Sequence, residues 1–135
     1  MLNRDKITKT SYGATQQILA NVELQSSVGC IVPSSLVSTA DANGNKIAKA
    51  GTPIHINLES RQSPVSAPAA AGDDTPAVPM NAVLLHDVDV TSGNANGTAL
   101  IFGFVDLNKI DTTTQSALTT ARAITGSTQL ITFIK

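Results

Sequence analysis

The chain has 135 residues, enough for one domain with a core of its own, and nothing in its length requires a second. Hydrophobic residues make up 41% and charged residues 14%, which is too apolar for wholesale disorder and sparsely charged for an independent, highly soluble monomer, so part of the surface is expected to meet a partner. A net charge of −1, an aromatic content of 3% and no Trp argue against nucleic acid as that partner and leave a sugar platform little to work with, because there is neither a Lys/Arg field for phosphates nor a supply of rings for stacking.

Residues 1–17, within the mostly polar "MLNRDKITKTSYGATQQ", read as an extended N-terminal arm, since Gly13 and several Thr and Ser residues interrupt any helical stripe. Such an arm is either a frayed terminus or a segment that orders on a partner. It lacks the basic-then-apolar order of a signal peptide, and the single cysteine, Cys30, cannot close an intramolecular disulfide, so folding in a reducing cytoplasm is expected. No apolar run approaches the ~20 residues that span a bilayer, and no membrane partner is expected.

Residues 18–135 read as a single β-rich domain. Val28 to Val32 is predicted as a strand ended by Pro33. Asn43-Gly44 is the strongest two-residue turn signal in the chain and predicts a hairpin joining Leu36–Thr39 to Lys46–Ala48. Gly51-Thr52-Pro53 makes a second turn before the strand "IHINL". Over residues 60–80, Pro64, Pro68, Pro76 and Pro79 alternate with Ala, Ser, Gly72 and the Asp73-Asp74 pair; prolines remove backbone donors, so this is a long surface loop.

Val83 to Val90 and Thr98 to Val105 are two apolar runs joined by "TSGNANG", a hairpin loop, and the second run is apolar on both faces, as a buried strand requires. With Asp111 or Thr112 as N-cap, "TTQSALTTARAI" predicts one amphipathic helix with Ala117, Leu118, Ala121 and Ile124 inward, closed by Gly126. The tail "STQLITFIK" predicts a last strand with Leu130, Thr132 and Ile134 on one face and Ile131 and Phe133 on the other. The fold class is therefore mainly β with a minor α part, a compact β-rich sandwich or barrel-like domain with one C-terminal helix and an extended N-terminal arm.

The candidate chemistry concentrates at "LLHDVDV". In an extended strand Leu84, His86, Val88 and Val90 share one face, and Val83, Leu85, Asp87 and Asp89 the other. Two aspartates projecting together could bind a divalent cation or share a proton, or they could solvate an edge and accept backbone N–H groups of the following loop. The second reading is favoured. His55 and His86 lie in strand-like apolar contexts that suit structural histidines, and with Cys30 they show no zinc-ligand spacing. Cys30 with a histidine base would make a nucleophile, but a thiol inside the apolar run "VGCIV" is expected to be buried and unreactive. "DANGN", Asp41 to Asn45, misplaces the glycine of a calcium loop and lacks its bidentate Glu. No catalytic, cofactor or metal site is assigned, and the chain reads as a non-enzyme.

Three stretches carry a family resemblance: "AGTP" at Ala50 to Pro53, "AVLLHDVDVT" at Ala82 to Thr91, and "ALIFGFVDLNKI" at Ala99 to Ile110 leading into the helix. Over roughly residues 44–125 the chain resembles the head-decoration and head-fibre proteins of tailed bacteriophages, including the lambda-type decoration proteins. The resemblance implies a structural virion protein on the capsid exterior, assembled in the host cytoplasm, which cements or decorates the shell by binding the major capsid protein, commonly as a homotrimer. It implies that Gly51, Thr52 and Pro53 turn the chain into its next strand and that Asp87 and Asp89 are structural residues at a strand end. Residues 1–17 and the 62–79 loop are the expected contact segments. The alternative reading is a virion-surface module that binds host or carbohydrate.

Overall fold

The computed structural model describes residues 17–135, and the arm expected over residues 1–17 lies, except for Gln17, outside the described residues. The fold is built around one long strand, β6 (Ala95–Asp106). Its centre is apolar on both faces, with Leu100 belonging to one core cluster and its neighbour Ala99 to another. A strand of that kind needs cover on two sides and partners on two edges.

The antiparallel partner on one edge is β1 (Ser26–Val32), which runs the length of the first half of β6 and stops before Pro33, as its sequence requires. On the other edge lie β4 (Ala82–Leu84) and, beyond it, β3 (Pro53–Ile54), giving the order β1-β6-β4-β3. The second half of β6 changes partners. There β7 (Ile131–Ile134) pairs in parallel with Gly103–Asp106. On the far side the Ala20 amide donates to the Phe104 carbonyl and the Asp106 amide to the Ile18 carbonyl, both at 2.8 Å.

The switch rests on one extra residue. Ser26 faces Phe102 and Ser27 faces Leu100, so Ile101 has no partner on β1. A bulge of this kind shifts the alternation of amide directions, which lets one strand serve different neighbours before and after it.

A second, two-stranded sheet is formed by β2 (Ile47–Ala48) and β5 (Val88–Asp89), paired antiparallel. It packs on one face of the main sheet, where Val32, Ile54, Ile56, Leu84, Val88, Val90 and Ala99 form a core. On the other face sits the only α-helix among the described residues, α1 (Thr112–Arg122), with Leu118 and Ala121 against Val83, Leu100, Val105 and Ile131. The protein is thus a mostly antiparallel, layered β structure with one late helix, and its sheet stays open instead of closing into a barrel.

Several sequence expectations are corrected. The Asn43-Gly44 turn exists, but it does not close a hairpin between Leu36–Thr39 and Lys46–Ala48. The type I′ turn that Asn-Gly favours requires positive φ at both central residues, and here only Gly44 has it, at 83°. Instead the Asp41 carboxylate accepts the Asn43 and Asn45 amides, Ser34–Leu36 forms a 3-10 turn, and β2 pairs with the distant β5. The run Val83 to Val90 is not one strand: it bends at Leu85 and His86 and passes from the large sheet to the small one. "IHINL" contributes only its first residue to β3, after which His55 makes an isolated bridge to Ser66. On α1 the inward line is Thr114, Leu118 and Ala121, and Ala117 is exposed.

The Pro/Ala stretch is a loop, yet one folded back on itself. Ala69 and Val78 exchange two backbone hydrogen bonds of 2.9 and 2.7 Å, and Val65 and Met80 are buried at its ends.

Candidate functional site

The bend at Leu85–His86 decides the fate of the His/Asp cluster. Asp87 and Asp89 are both exposed, and each carboxylate is engaged with backbone. Asp87 Oδ1 accepts the Ala50 amide at 2.7 Å, which ties the start of β5 to the turn before β3. Asp89 Oδ1 accepts the Thr91 amide at 2.9 Å and its hydroxyl at 2.6 Å. These bonds favour the charged form and hold the Asp89 carboxyl below its ordinary value, the hydroxyl contributing most. Burial alternates across the bend nonetheless: Leu84, Val88 and Val90 reach one core, Val83 and Leu85 the other.

His86 is half-buried, and its Nδ1 is enclosed without a hydrogen-bond partner among the described residues. His55 Nδ1 donates to the Pro79 carbonyl at 2.8 Å, which pins the end of the Pro/Ala loop beside β3. Cys30 is buried in the core beneath the small sheet, and burial pushes its thiol up from the ordinary value. Among the described residues no group of three or more His, Cys, Asp or Glu side chains stands close enough to hold a metal ion. No described helix is long and apolar enough to cross a membrane.

The residues that sequence reasoning passed over are the asparagines. Asn81 Oδ1 accepts the Ile56 amide at 2.8 Å while its Nδ2 donates to the Ile56 carbonyl at 2.9 Å, completing a ladder that has no strand partner there. Asn94 Oδ1 accepts the Ser34 amide across sixty positions of sequence at 3.1 Å. Their only signal in the sequence is the Asx preference for turns, which does not say which distant amide will be served.

Two surface features remain open. The first is a groove of about 710 Å³ along β1, with Gly29 and Ile31 on one side, Asn96 at its floor, and Leu58, Glu59 and Arg61 as the opposite wall. The second is a set of exposed apolar side chains on β6 and the segments beside it, Leu24, Phe102, Leu130 and Ile134, Leu130 by 60%. Leu130 and Ile134 alternate with the inward Ile131 and Phe133, as the tail's pattern predicts, and the Arg122 guanidinium stacks 4.6 Å from the Phe133 ring centre. No protein-family model matches the chain, and no curated protein sequence matches it.

Proposed function

We propose that the chain is a virion structural protein that binds the outside of an assembled phage capsid and cements or decorates it. The observation that carries this reading is the mutual packing of the three stretches on which the resemblance to head-decoration proteins rests. Gly51 of "AGTP" donates its amide to the Leu84 carbonyl of "AVLLHDVDVT" at 2.7 Å, and its α-carbon lies against Ile110, the last residue of "ALIFGFVDLNKI". Val83 and Leu84 in turn pair with Leu100 and Ala99. The residues that carry the resemblance therefore lie together in one connected unit of the fold, which supports the reading.

The surface suits the role. A shell-binding protein makes the same contact many times over a symmetric lattice, so modest contacts with few charges to desolvate suffice for firm attachment. By the same resemblance the chain assembles as a closed homo-oligomer, a trimer, whose subunits present equal contacts to the shell. The Asp87 and Asp89 carboxylates, engaged with Ala50 and Thr91, serve this reading as clamps of the fold.

The test is to mix the purified protein with phage heads that lack it, sediment the heads, and image them by electron microscopy, after measuring the mass of the free protein. Regular added density at symmetric positions supports the reading. A protein that stays in the supernatant with competent heads ends it and directs the search to host surfaces.

A further inference from the structure

The tripeptide Ala-Asn-Gly occurs twice in the chain, at Ala42–Gly44 and at Ala95–Gly97. An Asn-Gly pair carries a chemistry of its own. The backbone nitrogen of the glycine can attack the asparagine side-chain amide, because glycine has no side chain to shield that nitrogen or to crowd the small ring that forms. Every other asparagine among the described residues precedes a residue with a side chain: Val22, Lys46, Leu58, Ala82, Ala95 or Lys109.

The fold treats the two copies differently. Asn43 and Gly44 lie in a turn whose residues, Asp41 to Asn45, are all exposed. The Asn43 backbone amide is held by Asp41 Oδ1 at 2.8 Å, but its side chain makes no hydrogen bond among the described residues, so the amide carbon is open to attack. The Gly44 amide is held by one bond, to the Asp41 carbonyl at 3.0 Å, and a Cβ placed on Gly44 would meet nothing within 4 Å. Opening this turn therefore disturbs no packing. Gly97 instead stands opposite Cys30 in the β1–β6 ladder, and a Cβ there would lie 2.9 Å from a Val32 carbon and 3.0 Å from a Val88 carbon. Ring closure rotates the asparagine backbone about its Cα–C bond, which in the extended strand at Asn96 requires that the ladder and the core beneath it part first.

We propose that Asn43 is a site of spontaneous covalent modification, converting through a cyclic imide with Gly44 to aspartate and isoaspartate, while Asn96 is kept intact by its strand. In the first step a bond forms between Gly44 N and Asn43 Cγ, the Cγ–Nδ2 bond breaks, and ammonia leaves with the proton that Gly44 N gives up. Water then opens the ring. Cleavage at Cγ restores the main chain with an aspartate, and cleavage at the backbone carbonyl carbon leaves an isoaspartate whose main chain is one carbon longer. Either product places a new negative charge beside Asp41. The added carbon of isoaspartate falls between the Asn43 and Asn45 amides, which Asp41 Oδ1 accepts at 2.8 and 2.9 Å, so the turn that leads into β2 loosens. The reaction needs only this chain and water, so it stands or falls apart from capsid binding.

The test is to hold the purified full-length chain in warm, mildly alkaline buffer, native and in urea, and to follow both tripeptides over time by peptide mass spectrometry. In urea the two sites share their immediate sequence and are expected to react at similar rates. In the native chain Asn43 is expected to react at least about tenfold faster than Asn96, the factor that a difference of about 1.4 kcal/mol in opening cost produces. Fragmentation that cleaves N–Cα bonds identifies isoaspartate among the products. Asn43→Gln, which keeps the backbone amides that Asp41 clamps, is expected to stop most of the native reaction. Native reaction at Asn96 as fast as at Asn43 overturns the proposal, and so does an Asn43 that stays intact in the native chain over the time in which the unfolded chain reacts.

Discussion

Replacing Gly51 with Ala separates two costs that the fold imposes at one position. Gly51 has φ of +91°, where a side chain is strained, and a Cβ there would lie 2.7 Å from Ile110 Cδ1, with two more Ile110 carbons at 3.1 and 3.2 Å. The backbone part is about 1–2 kcal/mol, the ordinary penalty of an L-residue in left-handed conformation. The packing part is about 1–3 kcal/mol, because Ile110 is buried against the helix-side core and three of its carbons are touched at once, so no single rotation clears them. Gly44 provides the control. Its φ is +83° but a Cβ there meets nothing within 4 Å, so Gly44→Ala carries the backbone part alone. Urea denaturation of the two variants, with slopes unchanged, is expected to place Gly51→Ala at about 2–5 kcal/mol and Gly44→Ala at about 1–2 kcal/mol below the parent. Trimming the neighbour in Gly51→Ala/Ile110→Val should recover part of the packing cost and none of the backbone cost. If Gly51→Ala proves no more damaging than Gly44→Ala, the close approach of the "AGTP" turn to Ile110 is refuted.

Three further outcomes are expected. Asp111→Ala removes the carboxylate that accepts the Thr114 amide at 2.8 Å, and should lower stability by about 1 kcal/mol in thermal or urea unfolding, with Asp111→Asn nearly neutral. The Asp89 carboxyl should titrate below its ordinary value when followed by carbonyl-carbon NMR, and Thr91→Val should move it upward by removing the hydroxyl bond. Because its folded value is the depressed one, its contribution to stability is present above the ordinary carboxylate value of about 3.9 and fades as pH falls through the lower folded value. Cys30 should react with a thiol reagent only at the rate at which the native protein opens, since it is buried and its thiolate disfavoured; rapid labelling at neutral pH would contradict its place in the core.

The parts of this fold that are legible in the sequence are those decided by nearest neighbours. Val28 to Val32 ends at a proline, Asp111 stands before a helical stripe, and the tail alternates cleanly, and each becomes the element its pattern predicts. The parts that are not legible depend on partners far away in the chain. Nothing within ten residues of Ile47 says that it will pair with Asp89, and Asn43-Gly44 reads as a hairpin because the competing clamp by Asp41 uses amides any turn would offer. The apolar run at Val83 to Val90 reads as one strand because its alternation survives the bend. The same period serves two sheets in succession, and periodicity reports facing, not membership. At the candidate site, the exposure of Asp87 and Asp89 follows from that parity, whereas the Ala50 amide that engages Asp87 does not.

The short strands and the many side-chain clamps are two sides of one physical arrangement. Strands of two or three residues, as in β2, β3, β4 and β5, satisfy few backbone groups by pairing, so the rest need other acceptors if the chain is to stay ordered. Asp41, Asp87, Asp89, Asp106 and Asp111 each accept backbone amides, and Asn57, Asn81 and Asn94 do the same. A carboxylate engaged in this way is a structural group, which is why a sequence with several acidic residues near histidines need not contain an acid and a base. It also makes loops stiff without making them part of a sheet. Stiff loops lose little entropy on contact, so a surface built from them can hold a repeated partner through small contacts.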